Sequence, residues 1–298
     1  MPSFRSRLFY RLIKYQTSRA DRNATLPQRR AVLENDARNL PMPPHVEVTR
    51  TTVANIAAEW LRPDGTTGDQ AVLYLHGGAY TMGSCNTHRA LASRIAIVGH
   101  APVLLPEFRL APEHPFPAAL EDGEAIYHRL IAQGISPRRT VLAGDSSGGG
   151  LVVALSVLLR DRGVPLPAAI ICLSPWADLE LTGESLTTRA RVDPMCSLAE
   201  SRYHAGHYVG THDARALLVS PIYADLHGLP PMLIQVGDRE ILLSDAMRLA
   251  ERAREDGVEA ALEVWDGMWH VFQLFAAYVP EGQRAIDEVG AFIRKHLA

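Results

Sequence analysis

Cysteine is scarce in this chain of 298 residues, with Cys85, Cys172 and Cys196 the only three. Their spacing fits neither a disulfide framework nor a metal-ligand pattern, so the default expectation is a reducing, cytoplasmic setting. Long apolar runs are missing too. The stretch Ser146–Leu159 is uncharged but too short to span a membrane, and no membrane span is expected. A strong charge balance is also lacking. The net charge of −3 gives no global drive toward nucleic acid or acidic surfaces, and no nucleic-acid partner is expected. A phosphate loop is excluded because no Lys-Ser or Lys-Thr follows the Gly-rich turn at 144–150. What remains is a globular composition, 47% hydrophobic and 21% charged, in a chain long enough for a large core.

The N-terminal segment lacks acids altogether. Met1 to Arg19 carries Arg5, Arg7, Arg11, Lys14 and Arg19, with Phe4, Leu8, Phe9, Leu12 and Ile13 read as sharing one helical face. A targeting peptide or a membrane-surface helix has this look, but the uninterrupted apolar segment of a secretory signal is absent. The segment reads as an amphipathic helix packed on the body of the protein.

From there the chain alternates. A helix is predicted over Pro27–Asn39, stopped by Pro41, Pro43 and Pro44. Strands are predicted at His45–Val53, Asn55–Leu61, Ala71–Leu75, Pro102–Pro106, Thr140–Ala143, Ala168–Leu173, Pro231–Val236 and Val258–Trp265. Helices are predicted at Thr87–Val98, Ala118–Gln133, Leu151–Leu159, Leu243–Glu255 and Glu281–His296. Leu181–Asp213 breaks this rhythm and reads as an insertion, with one helical patch at Leu198–Tyr208. The alternation predicts an α/β fold, a mostly parallel sheet covered by helices on both faces.

The chemistry collects just after strands, along one sheet edge, where such folds bind ligands. Gly144-Asp-Ser-Ser-Gly148 fits G-x-S-x-G, a strand-to-helix turn that exposes a serine, so Ser146 is the candidate nucleophile. A serine needs a base, and His270 is the candidate, in a short loop after the last strand. The base needs a carboxylate, and Asp238, Glu240 and Asp245 all lie near the end of one strand. An oxyanion needs waiting N–H donors. Those of Gly77, Gly78 and Ala79 in His76-Gly-Gly-Ala79, together with that of Ser147, are the candidates. His204, His207, His212 and Asp213 form the one group that invites a metal reading, but no ligand loop accompanies them and no metal site is assigned.

In these motifs the chain resembles the hormone-sensitive-lipase-like, microbial family IV esterases of the α/β-hydrolase fold. The resemblance runs from about Val46 to the C-terminus. It rests on His76-Gly-Gly-Ala-Tyr80, Phe108-Arg-Leu-Ala-Pro-Glu-His-Pro-Phe-Pro117, Gly144-Asp-Ser-Ser-Gly148, Ser174-Pro-Trp-Ala-Asp178, Gly228-Leu-Pro-Pro231 and the His270 loop, in that order. It implies an eight-stranded sheet whose first strand pair is antiparallel, and a helical cap from residues 1–44 and 181–213 over a core of 45–180 and 214–298. It implies hydrolysis of short- to medium-chain acyl esters through an acyl-enzyme, without a cofactor, and it points to a homodimer. Phe4, Leu8, Phe9 and Leu12 are then expected to cover the acyl pocket with the 198–208 helix.

Two departures stand out. Ala79 occupies a position where the family often has a third glycine, and the family's Asp-Pro-Leu-x-Asp string is absent. The family register has a branched apolar residue two positions after the acid. Glu240 meets this with Leu242, whereas Asp238 would put Glu240 there. Glu240 is therefore the expected acid, completing Ser146, His270 and Glu240. An amide or formamide hydrolase on the same fold is the alternative activity, and a non-catalytic ligand receptor is the alternative class.

Overall fold

The computed structural model describes residues 1–21, 23–66 and 68–298. Eight strands among them form one sheet: β1 (Val46–Val53), β2 (Ile56–Pro63), β3 (Ala71–Leu75), β4 (Val103–Pro106), β5 (Thr140–Asp145), β6 (Ala169–Leu173), β7 (Met232–Gly237) and β8 (Ala260–Trp265). Their order is β1-β2-β4-β3-β5-β6-β7-β8. The β1–β2 pair is antiparallel, as is β2–β4, and every later pairing is parallel.

The central strands are apolar throughout because both sheet faces are covered. Successive side chains point to opposite faces. Leu73, Leu75, Leu142 and Ile170 therefore enter one core, under α4 (Ala118–Ala132), α5 (Ser147–Asp161) and α8 (Leu243–Glu255). Val72, Tyr74, Val141 and Ile171 enter the other, under α3 (Cys85–Gly99) and α9 (Pro280–Leu297). Truncating a fully buried residue such as Leu142 to alanine should cost about 2–5 kcal/mol.

Helix α5 begins at Ser147, four residues before the start read from its apolar spacing. Three consecutive glycines are poor helix formers. Packing overrides propensity here, because a Cβ on Gly148 would strike the Leu75 carbonyl oxygen and one on Gly150 the Trp176 carbonyl oxygen.

The N-terminal segment forms α1 (Phe4–Ser18) and α2 (Leu26–Ala37). Ser3 caps α1, its Oγ accepting the Ser6 N–H at 3.1 Å, and Glu281 accepts the Ser3 N–H at 2.6 Å. Ile13 is buried with Met268, Trp269 and Phe272, so α1 packs on the loop that carries His270. The expectation that Phe4, Leu8, Phe9 and Leu12 together cover an acyl pocket is corrected in part. Phe4, Leu8 and Leu12 are 73%, 56% and 45% exposed, and only Phe9 turns inward, stacked on Tyr278. The 181–213 insertion contains α6 (Ser185–Thr188) and α7 (Leu198–Val209). Tyr208 of α7 stacks on Tyr80 with ring centres 3.6 Å apart, and its carbonyl accepts the Phe116 N–H at 2.8 Å. No helix among the described residues is long and apolar enough to cross a membrane.

Candidate active site

Ser146 sits between β5 and α5 at φ 51°, ψ −121°. This backbone conformation is strained for a residue with a Cβ and persists only where neighbours enforce it. They do so here. The Ser146 N–H donates to the Leu173 carbonyl at 2.8 Å, and its own carbonyl accepts the Trp176 N–H at 2.8 Å. The turn also needs bare α-carbons at both ends, since a Cβ on Gly144 would strike the Gly148 carbonyl.

His270 reaches Ser146 from the far end of the sheet. Its Nε2 lies 2.9 Å from Ser146 Oγ and its Nδ1 lies 2.7 Å from Glu240 Oε2. Glu240 is fully buried. Its second oxygen accepts the Ser174 hydroxyl at 2.8 Å and the Gly237 N–H at 2.7 Å. The chain Glu240–His270–Ser146 is thus hydrogen-bonded throughout. The other two carboxylates of this strand end face elsewhere. Asp238 accepts the Gly267 N–H at 2.7 Å, and Asp245 accepts the Ala177 and Asp178 N–H groups at 3.0 and 2.9 Å.

Burial disfavours the imidazolium of His270, while Cys196 beside the ring and the hydrogen-bonded Glu240 carboxylate favour it; the balance holds His270 well above the ordinary histidine value. Burial pushes the Cys196 thiol up, and the Glu240 carboxyl meets the ring directly at 2.7 Å.

The candidate oxyanion loop follows β3. Gly78 has φ 122°, open to glycine but not to other residues, and Ala79 and Tyr80 follow at φ 56° and 60°. Among the described residues, the N–H groups of Gly78 and Ala79 donate to no protein acceptor, and that of Ser147 opens α5, where helical N–H groups lack internal partners. Gly77 departs from its expected place among the oxyanion donors. Its N–H donates to Asp145 Oδ1 at 3.0 Å, so it anchors the loop instead of facing Ser146. The arrangement can carry out attack by a hydroxyl on a carbonyl with stabilisation of the resulting oxyanion.

Residues 72–274 match the family described as alpha/beta hydrolase fold. An acetyl-hydrolase of Streptomyces hygroscopicus is 46% identical over 256 residues, 86% of this chain and 84% of its own. An esterase of Acinetobacter venetianus is 37% identical, covering 88% of this chain and 87% of its own. A crystal structure of an esterase from the bacterial hormone-sensitive lipase family superimposes with a TM-score of 0.96 at 46% identity over 100% of both chains. The chain belongs to the hormone-sensitive-lipase-like esterases of the α/β-hydrolase fold.

Several polar residues of this esterase hold the site in ways its motifs do not announce. Asp145, next to Ser146, is buried and anchors the candidate oxyanion loop through Gly77, while also accepting the Tyr74 hydroxyl at 2.8 Å and pairing with His88 at 3.2 Å. Burial alone would raise Asp145, but the His88, Tyr74 and Gly77 donors outweigh it and hold the carboxyl below its ordinary range. Ser147 Oγ accepts the Tyr80 N–H at 3.1 Å and ties the same loop to α5. Ser174 Oγ accepts the Val271 N–H at 3.1 Å while donating to Glu240, so one hydroxyl bridges the acid loop and the histidine loop. Asp193, within the insertion, accepts the N–H groups of Ile241, Met195 and Cys196, each at 2.8 Å. The adjacency of Asp145 and Ser147 to Ser146 was a usable signal; the Ser174-Pro-Trp-Ala-Asp178 motif marked Ser174 without showing its partners, and Asp193 gave no signal.

His76 stacks on Phe108 at 4.3 Å and burial drives it down to about 3, so it is a neutral packing group under the loop. The histidines that invited a metal reading each have other partners, though His204 and His207 both lie against Tyr203. His204 Nδ1 meets Thr81 Oγ1 at 2.7 Å, His207 lies edge-on to Tyr203 and His212 to Phe116. No group of three metal-ligating side chains exists among the described residues.

Proposed function

We propose that this esterase hydrolyses short- to medium-chain acyl esters by a Ser146–His270–Glu240 triad through an acyl-enzyme. Ser146 Oγ bonds to the ester carbonyl carbon as its proton passes to His270 Nε2. The carbonyl oxygen takes the negative charge among the N–H groups of Gly78, Ala79 and Ser147. The ester C–O bond then breaks, and the alcohol leaves with the proton from His270. Water adds to the acyl-enzyme by the same route, giving its proton to His270; the acid departs and Ser146 regains its hydrogen. Glu240 fixes the imidazole tautomer and stabilises the imidazolium.

The observation that carries this reading is the unbroken chain of two hydrogen bonds, 2.7 and 2.9 Å, from a buried carboxylate to a hydroxyl on a strained turn. The acetyl-hydrolase relative supports the short end of the acyl range. Residues 1–44 and 181–213 serve as the cap in this reading, through α1 over the His270 loop and α7 over Tyr80. The three unpaired cysteines support a cytoplasmic site of action.

The test is turnover of p-nitrophenyl esters of increasing acyl length beside a matched anilide, with Ser146→Ala as control. Ester turnover that falls off with chain length and disappears in Ser146→Ala is expected. Faster anilide than ester turnover, or unchanged activity in Ser146→Ala, would overturn the reading.

A further inference from the structure

We propose that α1 is an interfacial helix that docks the enzyme on an anionic lipid surface. The helix has two apolar faces, and the structure uses only one. Phe9, Tyr10 and Ile13 hold it down: Phe9 stacks on Tyr278 at 5.1 Å, Tyr10 Oη donates to the Val192 carbonyl at 2.9 Å, and Ile13 is buried beside Trp269. The opposite face carries Phe4, Leu8, Leu12 and Tyr15, which are 73%, 56%, 45% and 56% exposed. Four large apolar side chains left in water on one short helix form a contiguous stripe, and such stripes mark interaction surfaces.

The charges decide the occupant. At about 100° per residue, Phe4, Tyr15, Leu8 and Leu12 fall in one sector. Arg5 borders it on one side, and Arg11, Arg7 and Lys14 border it on the other. All four cations are exposed, and the helix contains no acid, in a chain whose net charge is −3. At its N-terminus, Glu281 accepts from Ser3 and Asp266 pairs with the Met1 amine. An apolar stripe between two rows of cations fits the boundary of an anionic bilayer, with the rings and leucines in the acyl layer and the cations at the headgroups. A second copy of this chain would set cation rows against cation rows, so self-association is disfavoured by the same charges. Because the buried side of α1 packs on the His270 loop, docking would bring the lipid surface to within about one helix diameter of that loop, roughly 10–12 Å.

Flotation of the full-length enzyme with phosphatidylcholine vesicles, with and without phosphatidylglycerol, tests this. Binding to the phosphatidylglycerol vesicles that weakens as salt is raised is expected. Phe4→Ser/Leu8→Ser/Leu12→Ser and, separately, Arg7→Glu/Arg11→Glu should each lower the partition coefficient by about tenfold or more. Melting temperature and turnover of a short soluble ester should stay as in the parent, which shows that both variants fold. No flotation of the parent, equal flotation on pure phosphatidylcholine, or unchanged binding by the triple variant would overturn the proposal. So would a concentration-dependent dimer that the triple variant abolishes, since the stripe would then be covered by a second copy.

Discussion

Glu240 Oε2 lies 2.7 Å from His270 Nδ1, whereas Asp238, two residues earlier, accepts the Gly267 N–H at the same distance. One carboxylate faces the imidazole and the other closes the turn before Met268. Glu240→Gln keeps the shape but offers an amide that can stabilise the wrong His270 tautomer. With Glu240 as the triad acid, kcat should fall by about three to four orders of magnitude. Asp238→Asn still accepts from Gly267 and should cost about tenfold or less. Steady-state kinetics of both variants decide the matter, and the reverse ranking would move the acid to Asp238.

The acid limb of kcat/KM should sit at or above the ordinary histidine value of about 6.5. In the proposed mechanism His270 must be neutral to accept the Ser146 proton, and its pKa is held up, so activity should appear only as pH rises through that raised value. Burial pushes the Cys196 thiol up, which disfavours a thiolate charge beside His270 at neutral pH. Cys196→Ser should therefore leave the limb in place, while Glu240→Gln should move it to lower pH. A pH–rate series on the parent and both variants checks this; a flat profile down to about pH 4.5 would require another base.

Asp145 gives a third prediction, aimed at the oxyanion loop. Asp145→Ala removes the acceptor of the Gly77 N–H and frees the loop that presents Gly78 and Ala79. Removing one oxyanion donor outright costs about a hundred- to a thousandfold in kcat, and a loosened loop should cost less, about ten- to a hundredfold, with KM little changed. Asp145→Asn retains an acceptor oxygen and should recover most of that loss. Parallel falls in kcat and in melting temperature for both variants would mean that the residue serves folding alone.

The legible parts of the sequence were those in which local pattern and tertiary role coincide. Strands β3 and β5 are apolar on both faces because helices cover both, and the Gly144–Gly148 turn must be bare because Leu75 and Gly148 carbonyls lie against it. The register that favoured Glu240 over Asp238 agrees with the placement of Glu240 beside His270 and with Leu242 buried two residues on. The illegible parts depend on distant partners. Ser174 opens a recognisable motif, but it lies 66 residues from Glu240 and 97 from Val271, and the motif does not show that its hydroxyl joins them. Helical spacing showed that α1 has apolar residues but not which of them meet protein, so Phe4, Leu8 and Leu12 were read inward when Phe9 and Ile13 take that place. Gly77 looked like an oxyanion donor because nothing in the motif shows that its N–H points back to Asp145.

A last prediction concerns stability, and it turns on Asp245. Burial, and then the neighbouring Asp178 charge, raise Asp245 to about 8, while its Oδ2 accepts the Ala177 and Asp178 N–H groups. Asp178 goes the other way. Burial opposes its charge, but Thr182 and Arg248 outweigh this and hold it low, so Asp178 carries the charge and Asp245 the proton. Between about pH 4 and about 8 the folded chain keeps a proton on Asp245 that the unfolded chain has released. The native state then binds more protons, so stability falls as pH rises through this window. Asp245→Asn places an amide where the acid holds its proton, keeps an acceptor for the two backbone groups, and cannot ionise. The variant should lose this pH dependence and gain on the parent between pH 5 and pH 8, by about 1–4 kcal/mol at the upper end. Urea unfolding of both proteins at the two pH values measures the difference directly. A parent that is as stable at pH 8 as at pH 5, or a variant that declines in step with it, would show that Asp245 is already ionised in the folded protein.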